Sequence, residues 1–261
     1  MLRALSTAAT GMEAQEMKID TIANNLANVN TTGYKKSRVE FQDLLYDELR
    51  APGTTAADGT QVPTGLQVGH GVRAVATQRS FAMGDLRQTG NPLDLAVEGN
   101  GFFQVMLPSG ELGYTRDGSL KTDAQGRVVT ADGLVVEPSL VIPADATNIT
   151  VAADGTVSVI QAGRVDPVEL GRIELATFAN PAGLVPMGKN LFGLSAAAGE
   201  PLVARPGSEG VGTLAQGMLE TANVKVVEEM VELITTQRAY ETSSKVISAA
   251  DEMLRVTAGL R

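Results

Sequence analysis

Apolar residues recur at intervals of seven near both ends of this chain, and the sequence between them is β-type and punctuated by glycine. Near the N-terminus the series is Leu5, Met12, Ile19 and Leu26, with Ala8, Gln15, Ile22 and Val29 at the second position of the repeat. Near the C-terminus it is Val226, Leu233, Tyr240, Ile247 and Leu254, with Gln237, Ser244 and Asp251 read as a polar second position. A stripe of this period is the seam of a coiled coil, narrower than the face a helix lays on a globular core. An isolated helix draws most of its stability from packing. Both ends are therefore expected to pack on each other and on further copies.

The first helix reads from Ala4 to Val29, ended by Asn28, Asn30, Thr31 and Thr32, with Gly33 as a left-handed stop. Gly11 either weakens it or permits close approach of a neighbour. The second reads from Val224 to Thr257 with Asn223 as its cap. Glu228, Glu229 and Glu232 suit its positive end, and Lys245 and Arg255 its negative end. Glu228 and Glu229 read as a solvated face, and so does the basic run Lys35, Lys36 and Arg38.

Between the helices, residues 50–71 are interrupted by glycine and proline, and residues 39–49 fit either a helix or a strand. From Val72 to Leu175 apolar residues alternate, as at Leu93, Leu95 and Val97 and at Phe103, Val105 and Leu107. The turn pairs Ser109-Gly110, Asp117-Gly118, Asp132-Gly133 and Asp154-Gly155 separate such runs. The expected fold class is α+β with a mainly β core. Residues 1–33 and 218–261 form a helical, coiled-coil assembly domain, 34–75 an extended connection, and 76–217 an outer, glycine-rich antiparallel β domain of sandwich or open-barrel type.

Composition removes several functions. A net charge of −9 leaves no basic field for nucleic acid. An aromatic content of 4% without tryptophan argues against a sugar-stacking groove or an aromatic-lined cofactor cavity. The absence of cysteine removes disulfides, thiolate catalysis and cysteine-based metal centres. The apolar run at the start is broken by Ser6, Thr7, Thr10 and Glu13, so it does not read as a secretory signal, and no stretch is apolar enough to span or insert into a membrane.

Catalytic signals are equally thin. His70 is the sole histidine and reads as a loop residue, leaving nothing for a metal site or a triad. Gly99-Asn100-Gly101 reads as a tight turn before a strand, because the third glycine of a dinucleotide motif is missing. Asp94 with Glu98, or Asp117 with Asp123, is the nearest approach to a glycosidase pair. A secreted β-domain enzyme acting on cell-wall glycan is therefore the alternative to a non-catalytic assembly protein. No cofactor is expected.

Two strings are more specific than any periodicity. Ile19 to Lys35 reads IDTIANNLANVNTTGYK, and Gln237 to Lys245 reads QRAYETSSK. Together, in this order and at opposite ends, they resemble the terminal signatures of the flagellar axial (rod and hook) protein family. The carrying residues are Asn24, Asn25, Leu26, Asn28, Gly33, Tyr34 and Lys35, then Gln237, Arg238, Ala239, Tyr240 and Glu241. Gly65 to Thr77, Glu98 to Val105 and Tyr114 to Leu120 (YTRDGSL) extend the resemblance over nearly the whole chain. Residues 44–65 resemble the insertion that separates rod members from the longer hook protein, where it is associated with a straight, stiff rod. The resemblance implies a subunit of a helical tube that crosses the periplasm in the basal body and carries torque to the hook. Its implied partners are further copies of itself, proximal rod proteins (whose paralogues are the alternative within the family), hook protein, peptidoglycan and outer-membrane ring proteins, and the flagellar type III export apparatus. Export would proceed unfolded and without a cleaved signal. The two heptad series would be the subunit interface.

Overall fold

The computed structural model describes residues 2–53, 63–163, 166–208 and 210–259; the middle of the expected insertion, 54–62, lies outside them. It is an α+β chain, mainly of strands, with one long helix at each end. The chain divides into two compact units. One comprises Met1–Leu26, Ser37–Gln78 and Lys225–Arg261, the other Ala27–Lys36 and Arg79–Val224. Residues 37–78, most of the stretch read above as a connection, thus cluster with the helices.

In the helical unit, α1 spans Leu2–Ala27 and α2 spans Val226–Gly259. Serine and threonine are tolerated inside them because their hydroxyls bond back to carbonyls of the preceding turn, as Thr21 does to Met17 and Thr236 to Glu232. The helices run antiparallel: Asn25 donates to Glu229 at 3.2 Å, and Lys18 pairs with Glu232 at 2.8 Å. Ala14, Ile22 and Asn25 are buried on α1, and Glu229, Thr236 and Ala250 on α2. Gln237, Ser244 and Asp251 are exposed. The second series of α2 is therefore Glu229, Thr236, Ser243 and Ala250, one residue earlier than the periodicity suggested. Positions three and four after Leu233 both neighbour it on a helix, and packing selects the smaller Thr236 over Gln237.

The same unit holds β1 (Ser37–Asp43), β2 (Tyr46–Arg50), β3 (Leu66–Gly69) and β4 (Val72–Arg79), so residues 39–49 are strand and not helix. β1 pairs with β4, and β2 with β3 in the register Tyr46↔Gly69 to Arg50↔Leu66. Leu45, Tyr46, Leu49 and Leu66 remain exposed on this ribbon.

The β-rich unit begins with β5 (Leu86–Gln88), β6 (Leu95–Glu98), β7 (Phe102–Met106) and β8 (Leu112–Thr115). The short β9 (Lys121–Thr122), β10 (Val128–Val129) and β11 (Val136–Glu137) precede β12 (Ala146–Val151), β13 (Thr156–Gln161) and β14 (Val168–Arg172). Then come β15 (Leu175–Thr177), β16 (Val185–Gly188), β17 (Leu191–Gly193), β18 (Leu202–Ala204), β19 (Thr213–Gln216) and β20 (Met218–Glu220). The largest sheet has the order β16-β17-β8-β7-β15-β18, with β11 also on β7; β12-β13-β14 form a second sheet. Among the described residues these sheets stay open, and no barrel closes.

Strand alternation gives the large sheet two apolar faces. Phe103, Val105 and Leu175 point into the main core with Leu95, Val97, Leu120, Val136 and Val159. Phe102, Tyr114, Ala176 and Phe192 line the opposite face with Phe178 and Leu184. Here aromatic rings meet edge to face, Tyr114 on Phe178 at 4.8 Å and Phe102 on Phe178 at 5.6 Å between centroids. Phe81, Phe102, Tyr114, Phe178 and Phe192, half of the chain's aromatic residues, gather here, beside a cavity of about 320 Å³ lined by Phe81, Phe102 and Phe178. The sparse composition did not forbid this local aromatic lining.

Candidate functional site

The most heavily bonded part of the β-rich unit lies where the chain passes to and from the helices. α1 stops at Ala27, and residues 28–36 run on without regular structure. Gly33, six residues past the helix, is not its stop. Its φ of +68° is accompanied by contact so close that an added Cβ would stand 2.7 Å from the carbonyl carbon of Arg116. Glycine is required there for backbone approach as well as for conformation. The Gly33 amide donates to the Glu220 carbonyl at 2.9 Å, and Asn190 Nδ2 donates to the Thr32 carbonyl at 3.2 Å. Tyr34 is buried against Ala222 and Val224, with Val29 beside them. Val29 therefore packs in the β-rich unit and not along the helical seam.

Lys35, read above as part of a solvated basic run, is buried, as are Glu220 and Arg116. Lys35 Nζ donates to Glu220 Oε1 at 2.6 Å and to the Ala82 carbonyl at 2.7 Å. Arg116 Nε reaches Glu220 Oε2 at 2.9 Å, and the Gly84 amide donates to Oε1 at 2.8 Å. One carboxylate thus faces two cations. The excess positive charge is met by backbone carbonyls: Arg116 also donates to Gly99, Gly101 and Val97 at 2.8, 2.6 and 3.2 Å. Burial of ions is tolerated only when geometry and hydrogen bonding are this complete. Burial, with Arg116 nearby, lowers the Lys35 pKa against the raising effect of Glu220. Burial opposes the Glu220 carboxylate, but the charges and hydrogen bonds of Arg116 and Lys35 outweigh it and hold its pKa below the ordinary range.

Asn223 does not cap α2, which starts at Val226. Its Oδ1 accepts from the Lys36 amide at 2.7 Å, and its Nδ2 donates to the carbonyls of Ser80 and Ala82 at 2.8 and 3.0 Å. The Ser80 amide in turn donates to the Lys36 carbonyl at 2.9 Å. In the helical unit, Asn25 does related work on the next residue. Its side chain accepts from the Ser37 amide at 3.0 Å and donates to the Ser37 carbonyl at 2.9 Å. Glu229, its other partner, is buried and not part of a solvated face; Glu228 is exposed and pairs with Lys225. Amide side chains suit such junctions because one group both donates and accepts.

The structure brings together Gly33, Tyr34 and Lys35 from the N-terminal motif, and places Asn25 in the helix pair. From the C-terminal motif, Gln237, Arg238, Tyr240 and Glu241 are exposed along α2, while Ala239 is half-buried. Asn24 is exposed, and Leu26 and Asn28 are half-buried. Of the heptad residues, Ile22 is buried; Leu5, Met12, Ile19, Leu233, Ile247 and Leu254 are half-buried; Val226 is exposed. Arg116, inside YTRDGSL, was legible only as a string, and Glu220 gave no signal. The acidic residues weighed as a glycosidase pair hold turns. Asp117 accepts from the Ser119 amide at 3.0 Å, and Asp123 from the Gln125 and Arg127 amides at 2.9 and 2.8 Å. Asp94 is buried and accepts from Asn91 Nδ2 at 2.9 Å, whereas Glu98 is exposed. Among the described residues no group of acidic or histidine side chains is arranged to hold a metal ion, and no helix is long and apolar enough to cross a membrane.

Three family descriptions match successive parts of the chain. Residues 5–35 match the family described as flagella basal body rod protein, 96–159 the flagellar hook protein FlgE/F/G D1 domain, and 215–260 the flagellar basal body rod FlgEFG protein C-terminal region. The chain is 48% identical to flagellar basal-body rod protein FlgG of Borreliella burgdorferi, covering 100% of this chain and 99% of that one. It is 48% identical to the FlgG of Caulobacter vibrioides with both chains fully covered, and 36% identical to that of Bacillus subtilis with the same coverage. Lys35, Arg116 and Glu220 form a buried ion-pair cluster within the β-rich unit. The chain belongs to the flagellar basal-body rod protein family and is a structural subunit of the flagellar rod, not an enzyme.

Proposed function

We propose that this subunit builds the distal rod, polymerising into a helical tube that transmits torque through the periplasm from motor to hook. Proximal rod proteins and hook protein are then its axial neighbours, ring proteins of the peptidoglycan and outer membrane surround it, and the type III apparatus delivers it. The heptad series of α1 and α2 join the helices as a coiled coil in the tube wall, where further copies cover what one chain leaves open.

The observation that supports assembly is a second apolar stripe on α2. Val227, Met230, Val231 and Ile234 follow helical spacing and are all about half exposed or more, while Glu229, Leu233 and Thr236 turn toward α1. A helix that is apolar on two sides needs more than one partner.

Val231→Glu tests this directly, because it charges the open stripe without entering the helix pair. Polymerisation of the purified chain, followed by sedimentation and electron microscopy, is expected to be lost while circular dichroism of the monomer is unchanged. Rods formed by this variant as readily as by the parent would overturn the role of the stripe.

A further inference from the structure

Residues 27–36 and 220–224 come from opposite ends of the sequence, yet the first segment is held largely by the second. Within 27–36 the amides of Thr31 and Tyr34 bond locally, to Asn28 and Thr31. The long-range ties go elsewhere. Gly33 donates to the Glu220 carbonyl, Lys35 to the Glu220 carboxylate, and Lys36 to the Asn223 side chain. Tyr34 completes the contact by packing on Ala222 and Val224, and its carbonyl accepts from the Asn223 amide at 3.4 Å.

Asn223 also binds the third stretch that passes this point, through the carbonyls of Ser80 and Ala82. It lies 187 residues from Lys36 and 143 from Ser80. One side chain therefore bonds backbone groups on two stretches that also meet directly, through the Ser80 amide on the Lys36 carbonyl and Lys35 Nζ on the Ala82 carbonyl. Truncating the side chain removes all three of these bonds together, in a half-buried place.

We propose that Asn223 and its neighbours form a latch, in which the order of residues 27–36 is conditional on residues 220–224 and the reverse. Asn223 is the positioning residue of that latch. The β core has hydrogen bonds of its own that share no residue with the latch, as from the Met106 amide to the Val135 carbonyl and from the Ala152 amide to the Thr156 carbonyl. The latch stands on contacts within the β-rich unit and is independent of whether the chain forms the distal rod.

Coupling of this kind is reciprocal, and that gives the test. Amide hydrogen exchange is measured on the full, unassembled chain and on Asn223→Ala and Gly33→Ala. Asn223→Ala is expected to speed exchange at Gly33 and Lys36 by about tenfold or more, and by a larger factor than at the core amides of Met106 and Ala152. Gly33→Ala, made on the other segment, is expected to speed exchange at Thr221 and Asn223 by a larger factor than at the same core amides. Unchanged rates at Gly33 and Lys36 in the first variant, or at Thr221 and Asn223 in the second, would overturn the latch. So would acceleration at Met106 and Ala152 by the same factor as at the latch amides, which would make the segments part of a single cooperative core.

Discussion

Glu220 Oε1 lies 2.6 Å from Lys35 Nζ across 185 residues of sequence, and the same carboxylate holds Arg116 from its other oxygen at 2.9 Å. All three groups are buried. Removing the carboxylate leaves two cations without water or counter-charge, the costly way to break a buried ion pair. Glu220→Ala is expected to lose about 3–5 kcal/mol, read as a lower midpoint in urea followed by circular dichroism. Lys35→Met, which leaves the Glu220–Arg116 pair intact, is expected to cost clearly less. Equal losses would mean that Glu220 acts through packing and not through charge.

Acid should release the same joint. The folded chain holds Glu220 below its ordinary pKa of 4.5, so in that range the unfolded chain binds a proton that the folded chain does not. Protons then favour the unfolded state, and the stability present above the unfolded pKa is lost as pH falls through the folded value. The slope of stability against pH below 4.5 is expected to be shallower in Glu220→Gln than in the parent. Parallel slopes in the two proteins would remove Glu220 from the acid response.

Two glycines should respond with opposite sign to the same substitution. At Gly33 an added methyl meets the Arg116 backbone at 2.7 Å on a φ of +68°, and backbone does not yield as a side chain does. Gly33→Ala is expected to cost about 2–4 kcal/mol. Gly11 sits inside α1, where a Cβ would reach only ordinary contact with Ser243 Oγ at 3.8 Å. Gly11→Ala is expected to add about 0.5–1 kcal/mol by stiffening the unfolded chain and improving helix propensity. Calorimetric melting of both variants checks the pair, and a destabilised Gly11→Ala would show that the helices approach more closely than the contact implies.

The sequence disclosed the elements that repeat and hid those that are unique. The heptads located both helices because periodicity is a local property, and turn glycines located much of the β-structure for the same reason. Lys35 looked solvated because its neighbours Lys36 and Arg38 are basic, and its counter-charge stands at position 220 with nothing nearby to mark it. Asn223 looked like a cap because an asparagine just before a helical stretch usually is one. Tertiary contacts to Lys36, Ser80 and Ala82 instead claimed its side chain, and the helix begins later. Long-range ion pairs and junction hydrogen bonds join residues that share no spacing, so only the fold reveals them.

The corrected phase of α2 makes the last prediction. Thr236 is buried, its hydroxyl turned back to the Glu232 carbonyl at 2.7 Å, whereas Gln237, the next residue, is exposed. Thr236→Glu places a carboxylate in the buried seam between α1 and α2, where Lys18 of α1 already pairs with Glu232. It is expected to cost at least about 2 kcal/mol and to lower the helical circular dichroism signal. Gln237→Glu adds the same charge on the solvent side, with an expected change within about 0.5 kcal/mol. The two variants make the same change in net charge at adjacent positions, so the difference between them reads the phase of the helix. If Gln237→Glu proved the more damaging, the second seam series would be Gln237, Ser244 and Asp251 after all.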